Sequence, residues 1–323
     1  MGQAEVDGSN ELSMMAPSLN TTALMASDLG RLPYGLVIHN GDISYARGFV
    51  TQWDVFYDQI EGIATRVPWM TSPGNHERDY PFSGDRFDSV FDSGGECGVP
   101  YEKRTGMPHP AEGQQWYSFD YGPIHFLEMS TEQPFAPGTP QFRFISEDLA
   151  GVDRAVTPWL VVGAHRPFYV SSSYSGPKDS DLTVSKDLRD ALEDLFVEHQ
   201  VDTVWTGHHH SYQRTCPVYK SKCVESGGSG GYAAPVYLVA GHAGANLCAF
   251  GDRQEYMMAM HREWGYMRIT ANRTDMEISV IRDSDGTEMD HISLRKPITQ
   301  EPAPSRVTKH TQGLAKKISA STS

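Results

Sequence analysis

Apolar residues fall along this chain in short continuous runs separated by helical stripes, the pattern of buried strands alternating with amphipathic helices. The runs are Leu36-Val37-Ile38-His39, Val67-Pro68-Trp69-Met70, Trp159-Leu160-Val161-Val162, Val201 to Trp205 and Val236-Tyr237-Leu238-Val239. Trp116-Tyr117-Ser118-Phe119 and Ile124-His125-Phe126-Leu127 flank Asp120-Tyr121-Gly122-Pro123, which reads as a hairpin. Helical spacing predicts a first helix capped by Ser18 or Asn20, running through Leu24, Met25 and Leu29 towards Pro33-Tyr34-Gly35. A second is capped by Thr51 and carries Trp53, Phe56, Ile60 and Ile63. A third opens at Thr139-Pro140, cap and N1 proline in order, with Phe142, Ile145 and Leu149 as its stripe. A fourth starts at Ser185 and turns Leu188, Leu192, Leu195 and Phe196 inward.

Residues 266–294 alternate as antiparallel strands with a turn at Asp283-Ser284-Asp285-Gly286. From Arg78 to Gln115 there is no periodicity, and the stretch reads as a long surface excursion around Cys97. Gly227-Gly228-Ser229-Gly230-Gly231 reads as a flexible turn. Beyond Lys296 the chain turns rich in Pro, Ser, Thr and Lys, so residues 297–323 are expected to be a disordered tail after one domain over 1–296. No internal repeat is visible. Strands alternating with helices predict an α/β fold whose functional residues sit at the strand C-terminal ends.

Composition changes this picture only by exclusion. A net charge of −14 over 323 residues argues against nucleic acid as a partner, though not against a phosphate substrate, because bound cations invert a local field. No run approaches the apolar length of a membrane span, so no membrane partner is expected. The first six residues lack a basic and an apolar region, so no signal peptide is expected in the chain. Of four cysteines, Cys216 and Cys223 read as a small loop closed by a disulfide; no paired C-x-x-C supports zinc there. Sequons stand at Asn20 and Asn272.

The candidate chemistry lies where strands end. Val204-Trp205-Thr206 runs into Gly207-His208-His209-His210, and in an extended segment His208 and His210 would face one site while His209 faces elsewhere. Alone, His-x-His is more often a pair of surface or core histidines. Three other strand ends carry Gly41-Asp42-Ile43-Ser44-Tyr45, Gly74-Asn75-His76-Glu77 and Val162-Gly163-Ala164-His165. Oxygen donors from Asp42, Tyr45 and Asn75 with imidazoles from His165, His208 and His210 suit two hard or borderline cations. Two such ions about 3.5–4 Å apart clamp a phosphoryl group and generate hydroxide near neutral or acidic pH.

These four segments, in this order, resemble the last four motifs of the calcineurin-like metallophosphoesterases, and within them the purple acid phosphatases. The resemblance covers nearly the whole chain. Residues 4–10 and 92–100 look like the large plant-type members. It implies a four-layer α/β/β/α sandwich, with Asp42 bridging two metals and Tyr45 and His210 binding a ferric ion. Asn75, His165 and His208 would hold a divalent zinc, manganese or iron ion, and His76 and Asn75 would meet the phosphate or leaving group. Phenolate-to-iron charge transfer gives the family its colour.

The sequence departs from the family twice. The loop from Arg166 to Tyr174 lacks the further histidines that plant members often carry. Only Met1-Gly2 matches the tail of the first motif, so its aspartate and the strand before it are expected upstream of Met1; within the chain, Asp7 or Asp79 would be the carboxylates to replace it. The resemblance thus implies an N-terminally truncated acid phosphatase acting on phosphorylated small molecules by metal-hydroxide attack, with room for a homodimer. Its full-length form would be secreted or vacuolar. The alternatives are a catalytically silent glycoprotein that acts as a binding module, and a phosphodiesterase.

Overall fold

Both faces of the central strands are buried, and this sets the layering of the computed structural model, which describes residues 1–4, 15–78, 92–172, 180–225 and 232–297. The chain runs α1 (Pro17–Arg31), β1 (Val37–Asn40), α2 (Val50–Ala64), β2 (Trp69–Ser72), α3 (Val99–Thr105), β3 (Tyr117–Tyr121), β4 (Ile124–Glu128) and α4 (Pro140–Gly151). It continues through β5 (Trp159–Gly163), α5 (Ser180–Glu198), β6 (Thr203–Thr206), β7 (Tyr212–Tyr219), β8 (Lys222–Cys223) and β9 (Val236–Ala240). It closes with β10 (Met257–His261), β11 (Gly265–Ala271), β12 (Asp275–Arg282) and β13 (Glu288–Arg295). The large sheet has the order β10-β7-β9-β6-β5-β4-β3, with β8 paired to β7 and a parallel centre of β4, β5, β6 and β9.

Alternation along β5 shows how one run serves two cores. Leu160 and Val162 join Ile145 and Leu149 of α4 and Leu188, Leu192 and Phe196 of α5 on one side. Trp159 and Val161 face the other way, against Met276, Ile278 and Val280 of β12 and Ile292 of β13. The second layer is the β11-β12-β13 sheet together with the parallel pair β1-β2. Trp53, Phe56 and Ile60 of α2 pack with Ile43 and Trp69 beside that pair. Asp28 of α1 accepts from Tyr266 at 2.5 Å and from Arg268 at 2.5 and 2.8 Å, tying α1 to β11. The result is the α/β/β/α sandwich expected from the resemblance. Among the described residues, β1 and β11 each pair on one side only. A cavity of about 500 Å³ is lined by residues of both strands, including Leu36, Ile38, Met267 and Ile269, so the second layer is split there.

Local expectations held where a specific interaction enforces them. Thr139 caps α4 by accepting from the Phe142 amide at 3.2 Å, and β3 and β4 form the hairpin around Gly122 and Pro123. Cys216 and Cys223 are disulfide-bonded across the β7–β8 hairpin. Three helix starts differ. Ala16, not Ser18 or Asn20, precedes α1, because Pro17 sets the first-turn φ and has no N–H to satisfy. A backbone turn from Ala46 to Phe49 starts α2 at Val50, placing Thr51 inside it. Helix α5 begins at Ser180, and the Ser185 hydroxyl donates instead to the Pro167 carbonyl at 2.6 Å. The stretch without periodicity holds the short α3, and β7 and β10 were not anticipated. The glycine-rich turn, Asp7, Asp79 and the tail from residue 298 lie outside the described residues.

Glu128, the last residue of β4, is fully buried beside Gly163. Burial lifts its carboxyl from the ordinary 4.5 to about 8, with only Ser72 pulling the other way. A carboxyl with a raised folded pKa supports the fold below its unfolded value and loses that support as pH climbs towards 8. Glu128→Gln is therefore expected to leave stability unchanged at acidic pH and to raise it at alkaline pH, by up to about 5 kcal/mol. Thermal melts across that range check it; a variant equally destabilised at every pH would show the carboxyl to be a structural acceptor instead.

Candidate metal centre

The four strand ends converge on the Asp42 carboxylate. On its Oδ1 side, His165 Nε2 lies at 3.1 Å, and Asn75 Oδ1 lies 2.9 Å from His165 Nε2 and 3.0 Å from His208 Nδ1. On its Oδ2 side, the Tyr45 hydroxyl lies at 3.1 Å and is itself 2.9 Å from His210 Nε2. The six residues singled out as ligands are thus all brought together, in two groups that share one carboxylate. Donor atoms of Asp42, His165 and His208 all lie within 4.8 Å of one another.

Unusual backbone makes this convergence possible. Asp42, Tyr45 and His208 have φ of 50°, 57° and 61°, the left-handed region that non-glycine residues seldom adopt and that clusters at functional sites. Gly41 and Gly74 let the loops touch. A Cβ on Gly41 would meet His165 Nδ1 at 2.4 Å, and one on Gly74 would meet Asp42 Oδ1 at 2.4 Å. The expected outcome for the His-x-His segment holds for a different reason. With His208 left-handed the segment is a turn, not an extended strand, yet His208 and His210 still face the site. His209 is fully buried elsewhere, with Nδ1 2.6 Å from Ser172 Oγ and Nε2 3.3 Å from Asp181.

Each facing imidazole has its second nitrogen held. His165 Nδ1 lies 2.9 Å from the Asn40 carbonyl and His210 Nδ1 lies 2.7 Å from the Asn246 carbonyl, so both donate there and turn Nε2 to the site. Asn75 Nδ2 donates to Asp92 Oδ2 at 2.9 Å, which turns the amide oxygen inward. His76 stacks on Tyr45 with centroids 4.1 Å apart, and its Nδ1 lies 3.0 Å from the Asp92 carbonyl. Asp92 was quoted from sequence only as part of a plant-like stretch. Arg166 and Asp181 next to His208 were not singled out, and only the position of Arg166 directly after His165 could have pointed to it.

The donor chemistry fits cations. Once Nδ1 of His165 donates to Asn40, its Nε2 lone pair confronts two acceptor oxygens, an arrangement that only a proton or a metal ion relieves. Burial lowers the His165 pKa, but Asp42 outweighs burial and raises it. Burial would lift the Asp42 carboxyl, yet His165 and His76 hold it well below the ordinary range. Burial pushes His208 down to about 3 and His210 to about 4, leaving neutral imidazoles suited to ligation. Asn75, His165 and His208 with Asp42 form one pocket of donors, and Tyr45 and His210 with Asp42 form the other.

The sequons differ in setting. Asn20 is exposed on α1, but Thr21 and Thr22 are buried, and Thr22 donates to the Ser18 and Leu19 carbonyls. Asn272 lies in the exposed turn between β11 and β12, where its side-chain oxygen accepts from the Thr274 and Asp275 amides. No helix among the described residues is long and apolar enough to cross a membrane.

His208→Ala is expected to abolish binding of the divalent ion, whereas His209→Ala keeps the metal stoichiometry and lowers Tm. Metal analysis of zinc-loaded, dialysed protein beside a thermal melt separates the two effects. Equal metal loss in both variants would make His209 a ligand.

Comparison with known proteins identifies the family and the fold. Residues 22–212 match the calcineurin-like phosphoesterase family, and residues 234–291 match the iron/zinc purple acid phosphatase-like protein C family. A probable inactive purple acid phosphatase of Arabidopsis thaliana is 40% identical over 92% of this chain and 49% of its own length. A nucleotide pyrophosphatase/phosphodiesterase of Hordeum vulgare is 38% identical over 92% of this chain and 81% of its own length. The structure of a purple acid phosphatase from yellow lupin (Lupinus luteus) seeds superposes with a TM-score of 0.81 at 36% identity, covering 94% of this chain and 56% of that one. The chain thus spans about half the length of several of the proteins it matches. It belongs to the calcineurin-like phosphoesterases, in their purple acid phosphatase branch.

Proposed function

We propose that this chain hydrolyses phosphate monoesters with a ferric ion held by Asp42, Tyr45 and His210 and a divalent ion held by Asp42, Asn75, His165 and His208. The observation that carries this reading is the Asp42 carboxylate, whose two oxygens face two separate donor sets. Cations bound there supply positive charge to the phosphoryl oxygens and acidify a water nucleophile. The chain's own residues fix the geometry. Asp92 aims the Asn75 oxygen, the Asn40 and Asn246 carbonyls aim His165 and His210, and Tyr45 supports the His76 ring. With Nδ1 donating to the Asp92 carbonyl, a protonated His76 presents Nε2–H to a phosphate or leaving-group oxygen. The Cys216–Cys223 disulfide and the exposed Asn272 sequon support passage through a secretory compartment.

A second reading, phosphodiester cleavage, is favoured by the barley relative, of which this chain covers 81%. A silent binding module is suggested by the Arabidopsis relative named probable inactive, and the convergence of six candidate ligands on one site opposes it. Iron- and zinc-loaded protein is expected to release nitrophenol from p-nitrophenyl phosphate at acidic pH faster than from bis(p-nitrophenyl) phosphate. The reverse order selects the diesterase, and no turnover by metal-replete protein selects the silent form.

Tyr45→Phe keeps the ring that packs on His76 but removes the hydroxyl shared by Asp42 and His210. The variant is expected to fold, to bind less iron and to lose the visible charge-transfer band. An unchanged spectrum in iron-loaded protein would place the iron on other ligands.

A further inference from the structure

Of the three imidazoles that face the site, His165 and His210 are anchored by backbone carbonyls. His208 is anchored by a side chain. Its Nε2 lies 3.0 Å from Oδ1 of Asp181, in the first turn of α5, and 3.3 Å from the Nη1 of Arg166. Arg166 is itself fixed, with Nε donating to Glu132 at 2.8 Å and Nη1 reaching the same Asp181 oxygen at 3.3 Å. The other Asp181 oxygen faces His209 Nε2 at 3.3 Å. One carboxylate therefore gathers a guanidinium and two consecutive histidines where α5 meets the site.

We propose that Asp181 is a positioning residue that selects the tautomer of His208 on which the divalent half of the centre depends; this rests on the metal reading given above. A neutral imidazole carries one proton, and the acceptor at one nitrogen decides where it sits. With Asp181 present, His208 donates Nε2–H to the carboxylate and turns the Nδ1 lone pair towards Asn75 and His165. Without it, Arg166 is what remains at Nε2 among the partners seen in the described residues, and Arg166 is always protonated and can only donate. The stable alternative then puts the proton on Nδ1, where Asn75 Oδ1 at 3.0 Å accepts it. That tautomer is fully hydrogen-bonded and closed to a cation. Asp181 Oδ1 accepts from both Arg166 and His208, so these two neighbouring groups share one acceptor and Arg166 is neutralised in the same contact.

Asp181→Ala and Asp181→Asn in the full chain test this. Zinc affinity is measured by chelator competition, and the His208 tautomer by long-range proton–nitrogen NMR on protein with labelled histidine rings. Wild type is expected to show Nε2–H. Asp181→Ala is expected to switch to Nδ1–H and bind zinc about 10–100-fold more weakly. Asp181→Asn still offers an amide oxygen, so it is expected to keep Nε2–H and lose less than about tenfold. Equal losses in both variants with Nε2–H retained would make Asp181 a ligand and overturn the proposal. So would unchanged affinity in Asp181→Ala. Should Asp181→Ala fail to fold, the wild-type spectrum alone decides, because Nδ1–H in zinc-competent wild-type protein refutes the role of Asp181. Wild-type protein that binds no zinc refutes instead the metal reading on which the proposal stands.

Discussion

One buried carboxylate organises this fold. Asp42 is almost wholly removed from water, and a charge so placed survives only where opposite charge and donors surround it. The chain supplies those groups from four strand ends on both β layers. Asp42, Tyr45, Asn75 and His76 follow β1 and β2 in the smaller layer; His165, His208 and His210 follow β5 and β6 in the larger one. The site therefore ties the two layers together at one end, as the apolar contacts of Trp159 and Val161 with β12 and β13 tie them along their faces. A ligand set drawn from both layers keeps its spacing only if neither layer slides. The Asn40 side-chain donor to the Trp205 carbonyl at 2.7 Å and the His165 bond to the Asn40 carbonyl fix that register directly.

The arrangement carries local costs that identify it as functional. Three candidate ligand residues occupy left-handed backbone, where each stores on the order of 1–3 kcal/mol. His165 turns a lone pair towards the oxygens of Asp42 and Asn75. Around His165 Nε2 the network concentrates acceptors, while the Tyr45 hydroxyl and the His76 amide donate to the same Asp42 carboxylate. The loop approach at Gly41 and Gly74 serves the same end, since either Cβ would push the donor groups apart.

Much of this was legible in the sequence, and the exceptions have physical causes. Strands buried on both faces read as continuous apolar runs, so β5, β6 and β9 stood out, as did α4, whose cap and proline are local signals. Strand β7 did not, because its buried Gln213 and Thr215 are polar and are satisfied by side-chain bonds to Ser172 and the backbone of β9. Helix starts at Ala16 and Phe49 were missed because a proline and a backbone turn did the work assigned to a side-chain cap. The six converging residues were recoverable because each follows a strand end at fixed spacing. Asp92 and Asp181 were not, since hydrogen-bond partners of ligands arrive through tertiary packing and leave no spacing to read. The His208–His210 pairing shows the limit of pattern reasoning: the side chains go where alternation says, but a left-handed turn takes them there.

The two halves of the centre are consequently supported by different kinds of structure. The Tyr45–His210 half rests on the Asn246 carbonyl and on the ring contact between Tyr45 and His76. The Asn75–His165–His208 half leans on two carboxylates, Asp92 and Asp181, carried by segments that lie between the strands of the sandwich. Loss of Asp92 or Asp181 would remove the partner that aims the Asn75 amide or orients the His208 ring. The candidate pocket of Tyr45 and His210 is thus set by a backbone carbonyl and ring packing, and that of Asn75, His165 and His208 by loop and α5 carboxylates together with the Asn40 carbonyl.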